Sequence, residues 1–302
     1  MARRTQHPRS STRRVGGWIV AILVMGLLAA LIATVVTFIA RWPERNTAPP
    51  LPAQGCLVQV GDSTTTLSWE QAENVSIIVG ESIRRGLPAR AATIALVTAY
   101  QESGIRNLDY GDRDSVGLFQ QRPSQGWGTV EQIMDPWYSA GKFYDHLVQV
   151  PDWETGVIND VAQAVQRSGH PDEYGKHEQK GRAWASALTG HSPAAVSCVD
   201  RSSDPADSTA LTEFIQRVWG DQVQVTTTEA GAIHLVGEAA SATDGSDTTT
   251  WSLAQLAMLR GRAAGITSVQ AADRTWANSG TSYAEWQPAE AGAAPVVLTL
   301  RD

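Results

Sequence analysis

The sequence predicts a mainly α-helical domain followed by a small α+β domain, both behind one membrane-spanning helix. Three observations support this fold class. Residues 18–40 are apolar and uncharged, residues 67–188 carry a series of helical patterns, and residues 208–300 mix helical and strand patterns. Helices and strands mixed over about 95 residues are typical of a small α+β sandwich.

The N-terminal segment has the charge pattern of a membrane anchor. Residues 1–14 contain five arginines and no acidic residue, and residues 18–40 contain no charge over 23 positions. Such a run is long enough to cross a bilayer. The positive-inside rule places residues 1–17 in the cytoplasm and the rest of the chain outside. Phe38 is too bulky for the third position before a cut after Ala40, so we expect the helix to be retained as an anchor rather than cleaved.

Proline-rich and polar stretches separate the predicted domains. Residues 41–60 contain four prolines, which is typical of a stiff linker. We expect the helical domain to span residues 61–200, a second linker to span residues 201–208, and the α+β domain to span residues 209–302. The last domain carries no motif that indicates a function.

A buried helix that ends at a carboxylate organises the helical domain. Residues 91–100 are almost free of polar side chains and long enough for about three turns. Glu102 follows at the C-terminal end, just before the helix-stop residue Gly104. The negative end of the helix dipole and poor hydration would both raise the pKa of this carboxyl. A carboxylic acid that stays protonated near neutral pH is suited to act as a general acid. The alternative is an ordinary solvated glutamate at a helix end.

A second motif strengthens the first interpretation. Residues 101–104 read Gln-Glu-Ser-Gly, and residues 117–123 read Gly-Leu-Phe-Gln-Gln-Arg-Pro. This pair resembles the lytic transglycosylases of the lysozyme superfamily, whose usual pattern is Glu-Ser followed by Gly-Leu-Met-Gln. The resemblance is strongest over residues 90–147 and extends over residues 67–195. It implies a lysozyme-like domain that acts on the glycan strands of peptidoglycan.

The resemblance also implies roles for individual residues. Glu102 would protonate the glycosidic oxygen between N-acetylmuramic acid and N-acetylglucosamine, then act as base while the muramyl 6-hydroxyl closes a 1,6-anhydro ring. Gly117 would let the backbone approach the substrate closely, and Trp127 is either a sugar-stacking indole or ordinary core. The predicted substrate-binding residues are Ser103, Gly117, Leu118, Phe119, Gln120, Trp127 and Gln166.

An acidic loop before the second motif leaves the product open. Asp112 and Asp114 are interpreted as part of a structural turn, and a calcium site is the alternative, although the EF-hand spacing is absent. Goose-type lysozymes, which are relatives in this superfamily, carry aspartates here that are thought to place the attacking water. Asp112 or Asp114 could therefore favour hydrolysis, in which case the protein is a muramidase.

The third motif of the family is altered. Residues 162–168 lie where the family has Ala-Tyr-Asn, and Val165 and Gln166 stand in place of the Tyr and the Asn. Because that Tyr hydrogen-bonds the catalytic Glu, we expect Tyr174 or Tyr110 to supply the contact, or the acid to be tuned differently. The departure keeps a second function open, a non-catalytic wall-binding or scaffold protein that retains the groove.

Charge and spacing argue against other chemistries. Six of the 24 basic residues lie at or before Arg41, so the chain after Arg41 contains 18 basic and 31 acidic residues. Its net charge of −13 disfavours nucleic acid as a partner. The six histidines lack zinc-ligand spacing, and no Gly-x-Ser-x-Gly is present. We therefore predict no cofactor and no metal, with the membrane and glycan strands as the partners.

The two cysteines bracket the helical domain. In an oxidising compartment, an even pair such as Cys56 and Cys198 predicts a disulfide. Lipid attachment at Cys56 and two free thiols are the alternatives.

Overall fold

The computed structural model describes residues 15–40, 51–229, 231–237, 248–290 and 295–301, with side chains given for residues 19–37 of the first range. The chain divides into two compact units, Met1–Pro50 and Leu51–Asp302. Most of the predicted cytoplasmic tail, residues 1–14, and the first half of the predicted linker, residues 41–50, lie outside the described residues.

Helix α1 spans Val15–Ala40 and forms the described part of the first unit. Within it, Ile19–Thr37 is long and apolar enough to cross a membrane. A signal sequence has the same length and composition near an N-terminus, so retention and orientation of this helix stay predictions.

The second unit begins with a small sheet and six helices. The helices are α2 (Trp69–Arg84), α3 (Ala89–Ser103), α4 (Val130–Met134), α5 (Pro136–Leu147), α6 (Ile158–Gln166) and α7 (Glu178–Leu188). Ser68 caps α2 through the capping box with Gln71 that the sequence predicts. Helix α6 begins only at Ile158, because the carbonyl of Asp152 accepts backbone hydrogen bonds from Thr155 and Gly156 and closes a turn before it.

Helix α3 is the central element of this part. Residues 91–99 are all buried, as the sequence predicts, and α3 packs against α2, α5, α6 and α7. Gly181 of α7 permits the close approach to α3, since a Cβ there would lie 2.7 Å from Cγ2 of Val97. Gly104 ends the helix in the left-handed conformation at φ 64°.

Three short strands form the small sheet of the second unit. They are β1 (Gly55–Val60), β2 (Ser63–Leu67) and β3 (Val196–Val199), paired antiparallel in the order β2-β1-β3. The predicted linker 41–60 therefore extends too far, because residues 55–60 form the central strand. Cys56 lies opposite Cys198 in the register, and the predicted disulfide joins them.

The remaining chain forms a mixed helical and strand layer, as the sequence predicts. Its helices are α8 (Thr209–Trp219), α9 (Thr248–Leu259) and α10 (Gly261–Ala264). Its strands are β4 (Val223–Thr227), β5 (Ile233–Gly237), β6 (Ile266–Ala271), β7 (Arg274–Ala277), β8 (Gln287–Pro288) and β9 (Val296–Leu300). They form one antiparallel sheet in the order β4-β5-β9-β6-β7-β8.

This layer packs directly on the helical part. Gln255 of α9 accepts hydrogen bonds from the backbone of β3 and its preceding residue, and donates to Ala187 and Ser192. The indoles of Trp276 and Trp286 donate to Ser197 and Val196 of the same region. The helical part and the C-terminal layer thus share one compact unit.

Candidate active site

Glu102 occupies the last turn of α3, where its carboxyl is largely withdrawn from water. Burial raises the pKa of Glu102, and hydrogen bonds from Tyr174 and Gln166 and the nearby charge of His170 only partly oppose that rise. No carboxylate among the described residues contributes to the shift. Glu102 is therefore the kind of carboxyl that can hold a proton and deliver it.

Tyr174 orients this carboxyl. Its hydroxyl donates a 2.6 Å hydrogen bond to Oε1 of Glu102. The ring is fully buried, and Tyr174 stands immediately before the short 3-10 turn Gly175–His177 that leads into α7. Tyr110, the other phenol considered from the sequence, is 68% exposed. Of these two phenols, Tyr174 is the one that contacts the Glu102 carboxyl.

Gln166 also reaches the site, from the last residue of α6. Its amide donates a 2.7 Å hydrogen bond to the carbonyl of Phe119, and its side chain is close enough to the Glu102 carboxyl to lower the pKa of that group. The neighbouring Val165 is buried in the core. The position aligned with the family's Asn therefore does reach the acid, whereas the position aligned with its Tyr does not.

The second motif begins with a tight turn. Val116 and Gln121 exchange two backbone hydrogen bonds of 3.0 Å each, and the residues between them turn back. Gly117 adopts φ 81°, and a Cβ there would lie 2.9 Å from the carbonyl of Ile133. Its lack of a side chain is thus explained by its left-handed backbone and by close packing against Ile133 of α4.

Several predicted substrate-binding side chains face inward at this turn. Leu118 and Phe119 are fully buried, and Phe119 stacks on Phe143 with ring centroids 4.7 Å apart. Their side chains cannot touch a ligand, so only their backbone could line a groove. Ser103 ties the turn to α3 by donating a 2.7 Å hydrogen bond to the carbonyl of Leu118.

Gln120 remains partly exposed at the tip of the turn. Its amide donates to the carbonyls of Tyr110 and Gly117. Gly111 leaves room for it, because a side chain there would overlap the Gln120 amide oxygen. The side chain is held in place, which is what recognition of a sugar substituent requires.

The two loop aspartates differ in their surroundings. Asp114 accepts hydrogen bonds of 2.8 Å from the Arg122 guanidinium and from the backbone of Ser124. These contacts hold the pKa of Asp114 well below its usual range, which makes it a weak base. Asp112 points into solvent beside Arg113. Asp114 therefore braces the loop, whereas the Asp112 side chain makes only a 3.8 Å ion pair with the adjacent Arg113.

Trp127 is core rather than an exposed indole. It is 8% exposed, and its ring lies against His146 with centroids 4.2 Å apart. One edge of Trp127 still lines a cleft of about 670 Å³, and Gln166 lines the same cleft. Sequence reasoning missed this cleft and the approach of His170 to Glu102, because both arise from segments distant in sequence.

The described residues contain no group of three or more His, Cys, Asp or Glu side chains that could hold a metal ion. A scan against protein-family models and a search of the curated proteins find no match for this chain. The resemblance to lytic transglycosylases therefore rests on the two motifs and on the surroundings of Glu102.

Proposed function

We propose that this chain is a membrane-anchored, extracytoplasmic peptidoglycan-cleaving enzyme, similar to the lytic transglycosylases. The observation that carries the proposal is the carboxyl of Glu102, whose pKa burial raises while a hydrogen bond from Tyr174 fixes its position. A partly buried, oriented carboxyl with a raised pKa is suited to general acid catalysis of glycosidic cleavage.

The reaction uses one carboxyl in two successive roles. Glu102 first gives its proton to the oxygen between N-acetylmuramic acid and N-acetylglucosamine. As a carboxylate it then accepts the proton of the muramyl 6-hydroxyl, which attacks the anomeric carbon and closes a 1,6-anhydro ring. Ordinary glycosidases need a second carboxylate. Here the acetamido group of the substrate stabilises the positive charge at the anomeric carbon.

The lytic route is favoured over hydrolysis by the state of Asp114, one of the two loop aspartates. Asp114 already accepts from Arg122 and Ser124, and its lowered pKa makes it a poor base for activating water. The anchor and the disulfide agree with an oxidising location outside the membrane. The same placement brings the enzyme to the wall.

The test is digestion of purified peptidoglycan by the full chain in detergent micelles, followed by separation and mass measurement of the soluble fragments. Transglycosylation yields products one water lighter than the reducing-end products of hydrolysis. Glu102→Gln should lower the rate by about 10²–10⁴-fold. Glu213→Gln, the same change at an exposed position of α8, is the matched control.

Two outcomes would reject the enzyme. One is no soluble fragment from the parent chain, and the other is equal rates for the parent and Glu102→Gln. The second function considered from the sequence, a non-catalytic wall-binding protein, drew its support from the missing Tyr, and Tyr174 removes that support.

A further inference from the structure

A polar cleft is lined by Gln166, the residue at the end of α6 that also approaches Glu102. It holds about 670 Å³ between the segment before α4, the end of α5 and the end of α6. Its polar and aromatic lining consists of Gln125, Trp127, His146, Gln149, Gln166 and Arg167. Because Gln166 lines the cleft and its side chain also lowers the pKa of the Glu102 carboxyl, a ligand in the cleft would lie one side chain away from the acid.

The cleft is positive within an acidic protein. Arg167 is the one residue of its lining with a formal charge, and no carboxylate lines it. Among the described residues, the Arg167 guanidinium has no ion-pair or hydrogen-bond partner. Its backbone is fixed as the left-handed C-cap of α6, at φ 51°. An exposed, unpaired guanidinium on a fixed backbone can donate two parallel hydrogen bonds to a carboxylate.

The neighbouring groups reinforce the positive field. His146 lies on the ring of Trp127 at the cleft wall. Burial lowers the pKa of His146, and the charges of Lys142 and Arg167 lower it further against the opposing effect of Asp145. The lowered pKa favours the neutral imidazole of His146, which can hydrogen-bond a ligand, and Arg167 supplies the formal charge of the lining.

We propose that this cleft binds the peptide stem of the muramic acid unit, with a stem carboxylate paired to Arg167. The inference rests on the proposed function, because the peptide stem is attached to the same sugar whose glycosidic bond Glu102 would cleave. Arg167 would then be a specificity-determining residue that selects peptide-bearing glycan over bare glycan.

Binding is measured first, without turnover, on the full chain carrying Glu102→Gln in detergent micelles. The probes are soluble peptidoglycan fragments with intact stems and the same fragments after an amidase has removed the stems. Stem-bearing fragments should bind about tenfold tighter, the value of one charge-assisted pair. Adding Arg167→Gln should abolish that preference, Arg167→Lys should restore part of it, and Arg182→Gln on α7 should leave it intact.

Turnover supplies the second readout, on the chain with Glu102 present. Arg167→Gln should raise KM about tenfold on stem-bearing strands with kcat unchanged, and change neither constant on stripped strands. Equal binding of both fragments, or equal weakening of both by Arg167→Gln, would overturn the stem site. Absence of cleavage with an Arg167-dependent binding preference still present would instead reject the enzyme and keep the site.

Discussion

The hydroxyl of Tyr174 donates a 2.6 Å hydrogen bond to Oε1 of Glu102, although 72 positions separate the two residues. The bond joins the end of the central helix α3 to the segment that leads into α7. It stabilises the ionised carboxyl, and burial opposes it by favouring the protonated form. The balance keeps the pKa of Glu102 raised while the hydrogen bond fixes the direction of the carboxyl.

Removal of this hydrogen bond should change both the rate and its pH dependence. In Tyr174→Phe the ionised form of Glu102 loses a donor, so its pKa rises further and the alkaline limb of kcat/KM moves to higher pH. We expect kcat to fall about tenfold, because the carboxyl loses its orientation. The measurement is a pH–rate profile on soluble peptidoglycan fragments.

Tyr110→Phe is the matched control, since this phenol is exposed. It should leave the profile of the parent unchanged. If the alkaline limb of kcat/KM moves to lower pH in Tyr174→Phe, the assigned hydrogen bond is contradicted. An equal shift of this limb in Tyr110→Phe would also contradict it.

Glu102 should also reduce the stability of the native state at neutral pH. Its pKa in the folded chain lies above the unfolded reference of 4.5, so its stabilising contribution is complete below that value. It is lost as pH rises through the folded pKa. Glu102→Gln has no charge to bury, and Tyr174 can still donate to its amide oxygen. The variant should therefore be more stable than the parent at pH 7.5, and this difference should shrink towards pH 4.

Urea unfolding at the two pH values measures this linkage. Glu213→Gln again serves as the control, because that carboxyl is exposed. If Glu102→Gln is less stable than the parent at pH 7.5, the surroundings of Glu102 do not disfavour its ionised form.

Local signals in the sequence were sufficient to predict much of the helical part of the fold. The capping box of Ser68 and Gln71, the apolar run before Glu102 and the stop at Gly104 each act within one or two turns. The disulfide could be predicted because two cysteines allow only a single intramolecular pairing. Strand β1 was assigned to a linker because the prolines before Gly55 dominate that stretch.

The contacts around Glu102 depend on folding and could not be read in the same way. The sequence offered two phenols, and nothing near Tyr174 or Tyr110 indicates which one turns inward. Leu118 and Phe119 were placed in a groove by resemblance, yet apolar side chains of a tight turn bury themselves beneath it. The C-terminal layer was read as a separate domain because contacts such as that of Gln255 with Ala187 span 68 positions.

Gln255 should be a large single contributor to stability. Its side chain is fully buried and satisfies two backbone N–H groups and two carbonyls of the helical part. Gln255→Ala would leave those groups buried without partners and add a cavity, so we expect a loss of about 3 kcal/mol in the free energy of unfolding. Gln216→Ala, at an exposed position of α8, should change it by less than about 0.5 kcal/mol. Similar losses in both variants would contradict the role of Gln255.

The disulfide should stabilise the unit chiefly by restricting the unfolded chain. Cys56 and Cys198 lie 142 positions apart, so their bond removes a large part of the loop entropy of the unfolded state. Replacing both by alanine should lower the free energy of unfolding by about 4 kcal/mol. Both sulfurs are buried, so a reductant should act on the parent mainly through its unfolded state. Urea curves measured with reductant should therefore bring the parent close to the double variant, whose own curve should not move. A parent that unfolds at the same urea concentration with and without reductant, after equilibration, would show that the bond contributes little.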